Sequence, residues 1–173
     1  MSLTILALSG SLRKGSTNTA LLRAAAELAP EGVDVQLYDY RDVPLYDADI
    51  ERPVAVDRLN EAIAAADGVL ISTPEYNYSV PGVLKNAIDW ASRPAYRGVF
   101  RDKPTGVVSA AASFAGGARA QQHLKTILLG MGTPVFPWPE LLVGSAHTKV
   151  ADGVLTDEAS RKVLRDYLDG FAP

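Results

Sequence analysis

The chain lacks cysteine altogether, which excludes thiol catalysis, disulfide bonds and thiolate metal sites. Histidine is almost as scarce. Only His123 and His147 occur, and since neither has an evident acidic partner we expect no histidine-based catalysis. No apolar run approaches the ~18 residues of a membrane span, and the formal net charge of −3 argues against nucleic acid and anionic membranes as partners. Because no basic leader precedes the apolar start, we expect a cytoplasmic domain.

The apolar residues that are present form five runs of strand length, separated by segments with helical periodicity. The runs are LTILAL, VDVQLYD, GVLIST, TGVVSA and ELLVG, at 3–8, 33–39, 68–73, 105–110 and 140–144. Strands that alternate with helices predict a parallel sheet covered on both faces. With five strands, the spacing favours a flavodoxin-like three-layer α/β sandwich with strand order 2-1-3-4-5. We see no linker or internal repeat, so we expect one domain over residues 1–173.

Three loops should meet at the edge of this sheet where the strand order reverses, because ligands bind there beyond the carboxyl ends of the strands. The first loop, SGSLRKGSTNT at 9–19, leads into the first helix. A helix N-terminus attracts anions through its free N–H groups and its dipole, and this loop adds hydroxyl, amide and guanidinium donors. We predict phosphate binding by Ser11, Arg13, Ser16, Thr17 and Asn18. The alternative is that the cluster only caps the helix.

Rival motifs for phosphate binding and for hydrolysis are missing. The chain has no G-x-x-x-x-G-K-[ST] sequence, which argues against nucleoside triphosphate hydrolysis. It also lacks the G-x-G-x-x-G sequence of dinucleotide-binding folds. Neither Ser9 nor Ser11 lies in a G-x-S-x-G elbow, so a serine hydrolase is disfavoured.

The second loop contains STPEYNYSVPG at 72–82, where larger polar side chains occupy a turn. Pro74 shapes the exit from the strand, because proline has no backbone N–H. The exposed amides around Glu75, Tyr76 and Asn77 suit a flat heteroaromatic ring edged with donors and acceptors, and Tyr76 supplies an aromatic wall. The alternative is ordinary surface turn chemistry.

The third loop, SAAASFAGGAR at 109–119, is built from small residues that let a ligand approach the backbone. Gly116 and Gly117 precede a helix whose positive end could face a negative charge on the ligand. Together the loops predict a phosphate on the first loop and a flat ring between the second and third. That ligand is a mononucleotide, and flavin mononucleotide (FMN) fits without an adenine pocket.

The same stretches resemble the NADPH-dependent FMN reductase family, which includes bacterial quinone and chromate reductases. GSLRKGSTN (10–18) is similar to that family's phosphate loop, and PEYNYSVPGVLKNAIDW (74–90) is similar to its flavin-ring signature. GGARAQQHL (116–124) is similar to the start of its fourth helix. The resemblance covers most of the chain and fades after about residue 145.

The resemblance implies a flavodoxin-like domain that binds FMN non-covalently. The first loop would hold the phosphate, 74–77 would border the ring, and Ser109 to Ala111 would touch its far side. Family members often carry serine at the position of Ala111, so a contact there would come from the backbone. Hydride would pass from NADPH or NADH through FMN to a quinone, a flavin, an azo compound or a metal oxyanion such as chromate. This chemistry is carried by FMN and needs no catalytic side chain and no metal.

Two other functions stay open at the level of sequence: an electron carrier of the flavodoxin type, and a nucleotide-binding regulatory module. The acceptor and the preference between NADH and NADPH cannot be read from the sequence. The resemblance also implies a homodimer or a homotetramer. Possible contact residues are Val83, Asn86 and Trp90 on the third helix, with Arg119, Trp138, Glu140 and the PVFPWPE run at 134–140.

Overall fold

The computed structural model describes residues 2–171 and contains seven strands and five α-helices within that range. The strands are β1 Leu3–Ser9, β2 Val33–Tyr38, β3 Gly68–Ser72, β4 Thr105–Ala110, β5 Leu141–Val143, β6 Val150–Ala151 and β7 Val154–Leu155. The helices are α1 Thr17–Leu28, α2 Val54–Ala65, α3 Gly82–Ala91, α4 Ala118–Gly130 and α5 Glu158–Phe171. A single-turn helix at Ala146–Thr148 follows β5.

The first five strands form one parallel sheet in the order β2-β1-β3-β4-β5. Helices α1 and α5 cover one face of this sheet through side chains such as Leu22 and Leu164. Helices α2, α3 and α4 cover the other face through Leu59, Leu84 and Leu124. β3 and β4 are buried along their whole length, as apolar runs without alternation indicate. The flavodoxin-like fold and its strand order are therefore confirmed.

The polar side of α3 packs against the chain's own loop between β2 and α2. Asn86 donates from Nδ2 to Pro44 O at 2.8 Å and accepts from Tyr46 N at 2.8 Å. Trp90 donates from Nε1 to Pro44 O at 2.9 Å, and its ring is buried. Asn86 and Trp90 are thus hydrogen-bonded within the chain, and their part in contacts between copies stays a prediction.

The carboxyl ends of β1, β3 and β4 lie side by side in the middle of the sheet. The strand order reverses between β1, which is followed by α1 on one face, and β3, which is followed by α3 on the other. Residues 10–16, 73–81 and 111–117 leave the sheet at this edge. The fold therefore brings the three loops predicted from the sequence to one place.

Candidate functional site

Direct hydrogen bonds join the first two loops, and another joins the second loop to β4. Gly10 N donates to Ser72 O at 2.7 Å, and Thr73 N donates to Val108 O at 3.0 Å. The hydroxyl groups of Ser11 and Tyr76 lie 3.1 Å apart. The phosphate loop and the tyrosine-bearing turn therefore form the walls of one cleft.

The first loop ends in a capped helix N-terminus. Ser16 is the N-cap of α1, and its Oγ accepts the N–H of Thr19 at 3.2 Å. The backbone N–H groups of Thr17 and Asn18 belong to the first helical turn and have no acceptor among residues 2–171. Arg13 is exposed and forms no ion pair with any described residue. The loop thus keeps two free amides and a guanidinium for an anion, while the Ser16 side chain caps the helix.

The side chain of Asn18, which the sequence assigned to the phosphate site, points into the protein. Its Oδ1 accepts from Ser72 Oγ at 2.8 Å and from Ala110 N at 3.0 Å. Its Nδ2 donates to Ala110 O at 2.8 Å, and the residue is only 1 % exposed. The side chain therefore ties the start of α1 to the ends of β3 and β4. Only the backbone N–H of Asn18 remains for a phosphate.

Tyr40, which was not selected from the sequence, holds the start of the first loop by a hydrogen bond to Ser9. Its hydroxyl donates to Ser9 O at 2.6 Å, and its ring is buried. Burial raises the pKa of Tyr40 well above its usual value, so the hydroxyl stays protonated and remains a donor. The only signal in the sequence is a tyrosine just after the second strand.

The second loop contains a tight turn with two residues in the left-handed region. Tyr76 N donates to Ser79 O at 3.0 Å, and Ser79 N donates to Tyr76 O at 3.1 Å. Between them, Asn77 has φ 48° and Tyr78 has φ 67°. Asparagine adopts this conformation readily, whereas a tyrosine there stores about 1–2 kcal/mol. Such strain is typical of binding loops whose surroundings fix the backbone.

Helix α4 fixes this turn from outside the cleft. Glu75 accepts from the backbone N–H of Arg119 at 3.1 Å and from Arg119 Nη1 at 2.8 Å. The guanidinium of Arg119 also lies over the ring of Tyr78, with Cζ 4.4 Å from the centroid. Ser79 Oγ and His123 Nδ1 lie 3.0 Å apart. These contacts with Arg119 and His123 attach the strained turn to α4.

The Glu75 carboxylate also serves as the cap of α4. The N-cap residue, Gly117, has φ 92° and no side chain that could accept a helix N–H. Glu75 supplies the missing acceptor from another loop. The positive end of α4 therefore has an anionic partner within the chain, while the expectation that it faces a negative charge on the ligand stays a prediction.

The third loop departs most from the sequence-based prediction. Ser109 is fully buried, and its Oγ donates to Gly116 O at 2.5 Å and accepts from Gln121 Nε2 at 2.8 Å. Ala111 N donates to Val143 O at 3.0 Å, and Ala111 O accepts from Ala146 N at 2.9 Å. The Ser109 side chain and both backbone groups of Ala111 are thus occupied within the protein.

Position 116 requires glycine because the third loop packs closely against Leu142 of β5. Its φ is 61°, and an added Cβ would lie 2.8 Å from Cβ of Leu142. The backbone N–H groups of residues 112–115 have no acceptor among residues 2–171. The N–H donors that the third loop can offer to a ligand therefore lie between Ala111 and Gly116, two of the residues selected from the sequence.

Two kinds of feature are absent from residues 2–171, a membrane-spanning helix and a cluster of metal ligands. No helix within 2–171 is long and apolar enough to cross a membrane. Over the same residues, no three histidine, aspartate or glutamate side chains gather as ligands for a metal ion.

Comparisons with known proteins agree with this architecture. A family model described as NADPH-dependent FMN reductase matches residues 3–148. An NAD(P)H-dependent FMN reductase of Pseudomonas aeruginosa is 44 % identical, over 96 % of this chain and 92 % of the relative. A quinone reductase of Escherichia coli K12 is 42 % identical, over 98 % and 93 %. The structure of FerB, a flavoenzyme NAD(P)H:(acceptor) oxidoreductase from Paracoccus denitrificans, superposes with TM-score 0.88 at 39 % identity, over 98 % of this chain and 94 % of FerB.

Proposed function

Since the chain belongs to the NADPH-dependent FMN reductase family, we propose that its cleft binds FMN and that the enzyme passes electrons from NAD(P)H to a quinone. Membership confirms the resemblance drawn from GSLRKGSTN and PEYNYSVPGVLKNAIDW. It also favours the enzyme over the electron carrier and the regulatory module. The observation that carries the proposal is the meeting of the first two loops, where the hydroxyls of Ser11 and Tyr76 lie 3.1 Å apart.

The residues of the cleft fit the phosphate of FMN. A phosphate dianion suits the dipole of α1, and it suits the N–H groups of Thr17 and Asn18 and the side chain of Arg13, which lack partners within residues 2–171. The Ser11 hydroxyl lies on the same side of the loop as Tyr76 and is within reach of a ligand that displaces their mutual hydrogen bond. We assign the phosphate to these groups, with Ser16 as the cap that holds them in place.

The second and third loops fit the flavin ring. The backbone N–H groups of Glu75, Asn77 and Tyr78 have no acceptor among the described residues, and neither do those of 112–115. Pro74 is buried against Gly10, where an added Cβ would lie 2.9 Å from Pro74 Cδ. These N–H groups suit the acceptor atoms of a flavin edge, and the half-exposed Tyr76 suits its face.

Bound FMN supplies the hydride chemistry, and the protein supplies binding and orientation. Among the acceptors implied by the resemblance, a quinone is favoured because relatives that match almost the whole chain are named quinone reductases. A free flavin is the second candidate, because a relative of similar coverage is named an FMN reductase. Azo compounds and chromate stay predictions from the sequence, as do a cytoplasmic location and a single domain over 1–173.

The proposal is tested on the purified chain. We expect a visible flavin spectrum after incubation with FMN. Once unbound FMN is removed, the loaded protein should oxidise NADPH rapidly when a quinone is added. Protein that binds FMN but does not oxidise NADPH or NADH would be an electron carrier. Protein that stays colourless in excess FMN would contradict the proposal altogether.

Replacing Arg119 with alanine should raise the dissociation constant for FMN about three- to tenfold, because the turn at 75–79 loses its ion pair and its cation–π contact with α4. The stability of the apo-protein should change little, since the Arg119 side chain is half exposed. Fluorescence titration with FMN measures the constant. The matched control is Lys162→Ala, which breaks the exposed Lys162–Asp166 pair on α5 and should leave FMN binding unchanged. Equal affinities in all three proteins would contradict the role given to Arg119.

We further propose that the chain forms a homodimer or a homotetramer through the surface around the third loop. This surface, defined by Tyr78, Phe114 and Leu142, is unusually apolar, and Phe114 is 93 % exposed. Trp138 is also half exposed and stacks on Phe136 at 5.7 Å, while Glu140 pairs with Lys125 at 3.0 Å. Light scattering of the FMN-loaded protein gives the mass, and a monomer would contradict this proposal.

A further inference from the structure

Gln121, which was not selected from the sequence, links helix α4 to two strands and to the third loop. Its side chain is fully buried. Its Nε2 donates to Ser109 Oγ near the end of β4 and to Leu141 O at the start of β5, both at 2.8 Å. Ser109 Oγ in turn donates to Gly116 O at 2.5 Å. We call these four residues and the hydrogen bonds between them the Gln121 network.

The partners of Gln121 determine which way its amide group points. Leu141 O is a carbonyl oxygen and can only accept, and the hydroxyl hydrogen of Ser109 is already donated to Gly116 O. Both partners therefore need an N–H donor, so the NH2 group of Gln121 must face them. Its Oε1 then points elsewhere, and it is buried without a hydrogen-bond partner within residues 2–171. The amide thus uses both N–H groups in the network and leaves its own acceptor unpaired, which costs stability.

The Gln121 network sets the orientation of the peptide group between Gly116 and Gly117. The C=O and N–H groups of a trans peptide point in opposite directions. Because Gly116 O is turned toward the buried Ser109, the N–H of Gly117 is turned away from it. That N–H has no acceptor among residues 2–171, and the same is true of the N–H groups of 112–115. An added Cβ on Gly117 would lie 3.1 Å from Ser109 Oγ, so the loop packs directly on the network.

We propose that Gln121 is a positioning residue for the flavin ring, acting through Ser109 on the third loop. The inference rests on the proposed function, in which the N–H groups of this loop face the acceptor atoms of the flavin edge. By directing the Ser109 hydroxyl at Gly116 O, the amide of Gln121 keeps the 116–117 peptide from turning over. A reversed peptide would place a carbonyl oxygen where the ring edge needs a donor. The unpaired Oε1 follows from the same requirement, because glutamine brings its carbonyl oxygen together with its two N–H donors.

The first test uses the apo-protein, so it does not depend on FMN. Gly116 N and Ser145 N both donate to Ser113 O and close the third loop. In Gln121→Met, which removes the N–H donors and keeps the length of the side chain, these two amides should exchange hydrogen about fivefold faster relative to the amides of β1. The matched control is Gln122→Met, the same change at the exposed neighbour on α4, and it should leave both rates unchanged. Unchanged rates in Gln121→Met, measured by NMR, would overturn the inference.

The second test measures the ring site itself. The dissociation constants of FMN and of riboflavin should rise by the same factor in Gln121→Met, about three- to tenfold, because both ligands carry the ring. The visible absorption maxima of bound riboflavin should also move toward those of free riboflavin, a change that a loss of stability alone does not cause. Gln122→Met should match the wild-type protein in both measurements. A loss confined to FMN, or absorption maxima that do not move, would contradict the role given to Gln121.

Ser109→Ala is a second variant, which keeps the inference testable if Gln121→Met does not fold. It removes the hydroxyl through which Gln121 acts and should weaken riboflavin binding by the same factor. The double variant should lose no more than either single variant, since the two side chains act in series. Additive losses, or an unchanged riboflavin affinity in Ser109→Ala, would overturn the inference. Failure of the proposed function looks different, because the wild-type protein would then bind neither FMN nor riboflavin, whatever the variants do.

Discussion

Replacing Asn18 with alanine is expected to lower the free energy of unfolding by about 2–4 kcal/mol, the largest effect on stability that we predict. The side chain makes three hydrogen bonds in a fully buried position. Its loss leaves Ala110 N, Ala110 O and Ser72 Oγ without partners, and an unsatisfied buried polar group costs about 1–3 kcal/mol. Urea unfolding of the apo-protein measures the change at constant m-value.

A matched control for this substitution is Asn60→Ala on α2. The Asn60 Oδ1 atom is buried and has no hydrogen-bond partner within residues 2–171, so its removal breaks no bond at that atom. We expect Asn60→Ala to change stability by less than about 1 kcal/mol. If the free energy of unfolding fell by the same amount in Asn18→Ala and in Asn60→Ala, the bonds of Asn18 would not hold α1, β3 and β4 together. Its assignment as a structural residue would then be wrong.

The largest effect on binding is expected for Arg13→Ala, which should weaken FMN binding about ten- to a hundredfold. Arg13 lies two residues after Ser11 in the first loop and forms no ion pair with any residue of 2–171. A charge-assisted hydrogen bond to a phosphate is worth more than a neutral one. Fluorescence titration of wild type and variant with FMN measures the change.

Riboflavin provides the matched ligand for this experiment, because it has the same ring and no phosphate. Its affinity should be the same in wild type and in Arg13→Ala. Arg13→Lys should recover part of the FMN affinity, since lysine keeps the charge but not the planar fork of donors. A similar loss for riboflavin and FMN would show that Arg13 shapes the loop as a whole and does not hold the phosphate.

The fold was predictable because its signals are long and repetitive. Five apolar runs separated by helical segments determine a parallel sheet, and β4 was predicted with its observed bounds. The β6–β7 hairpin was missed, because strands of two residues are too short to show a period. Its signal was the Asp152-Gly153 dipeptide, whose φ angles of 50° and 79° are those of a hairpin turn.

The sequence predicted where the three loops meet, but it predicted less well which side chains are free to contact a ligand. Residue types indicate which donors and acceptors a loop contains, but they do not indicate which of them the fold itself uses. Asn18 and Ser109 were selected as polar residues near a ligand, but both side chains make buried hydrogen bonds within the protein. Glu75 was selected as a ring neighbour, and its carboxylate caps α4. Such contacts join segments far apart in the chain, so local patterns cannot reveal them.

One hydrogen bond joins the hydroxyl groups of Ser11 and Tyr76, and at 3.1 Å either group can be its donor. When the Ser11 hydroxyl donates to a ligand's charged tail, it can no longer donate to Tyr76. The phenol of Tyr76 must then be the donor of the bond between them. We therefore expect a phosphate bound at the first loop to change the hydrogen bonding of Tyr76. Binding at the phosphate end of the cleft would then influence the geometry of the ring end.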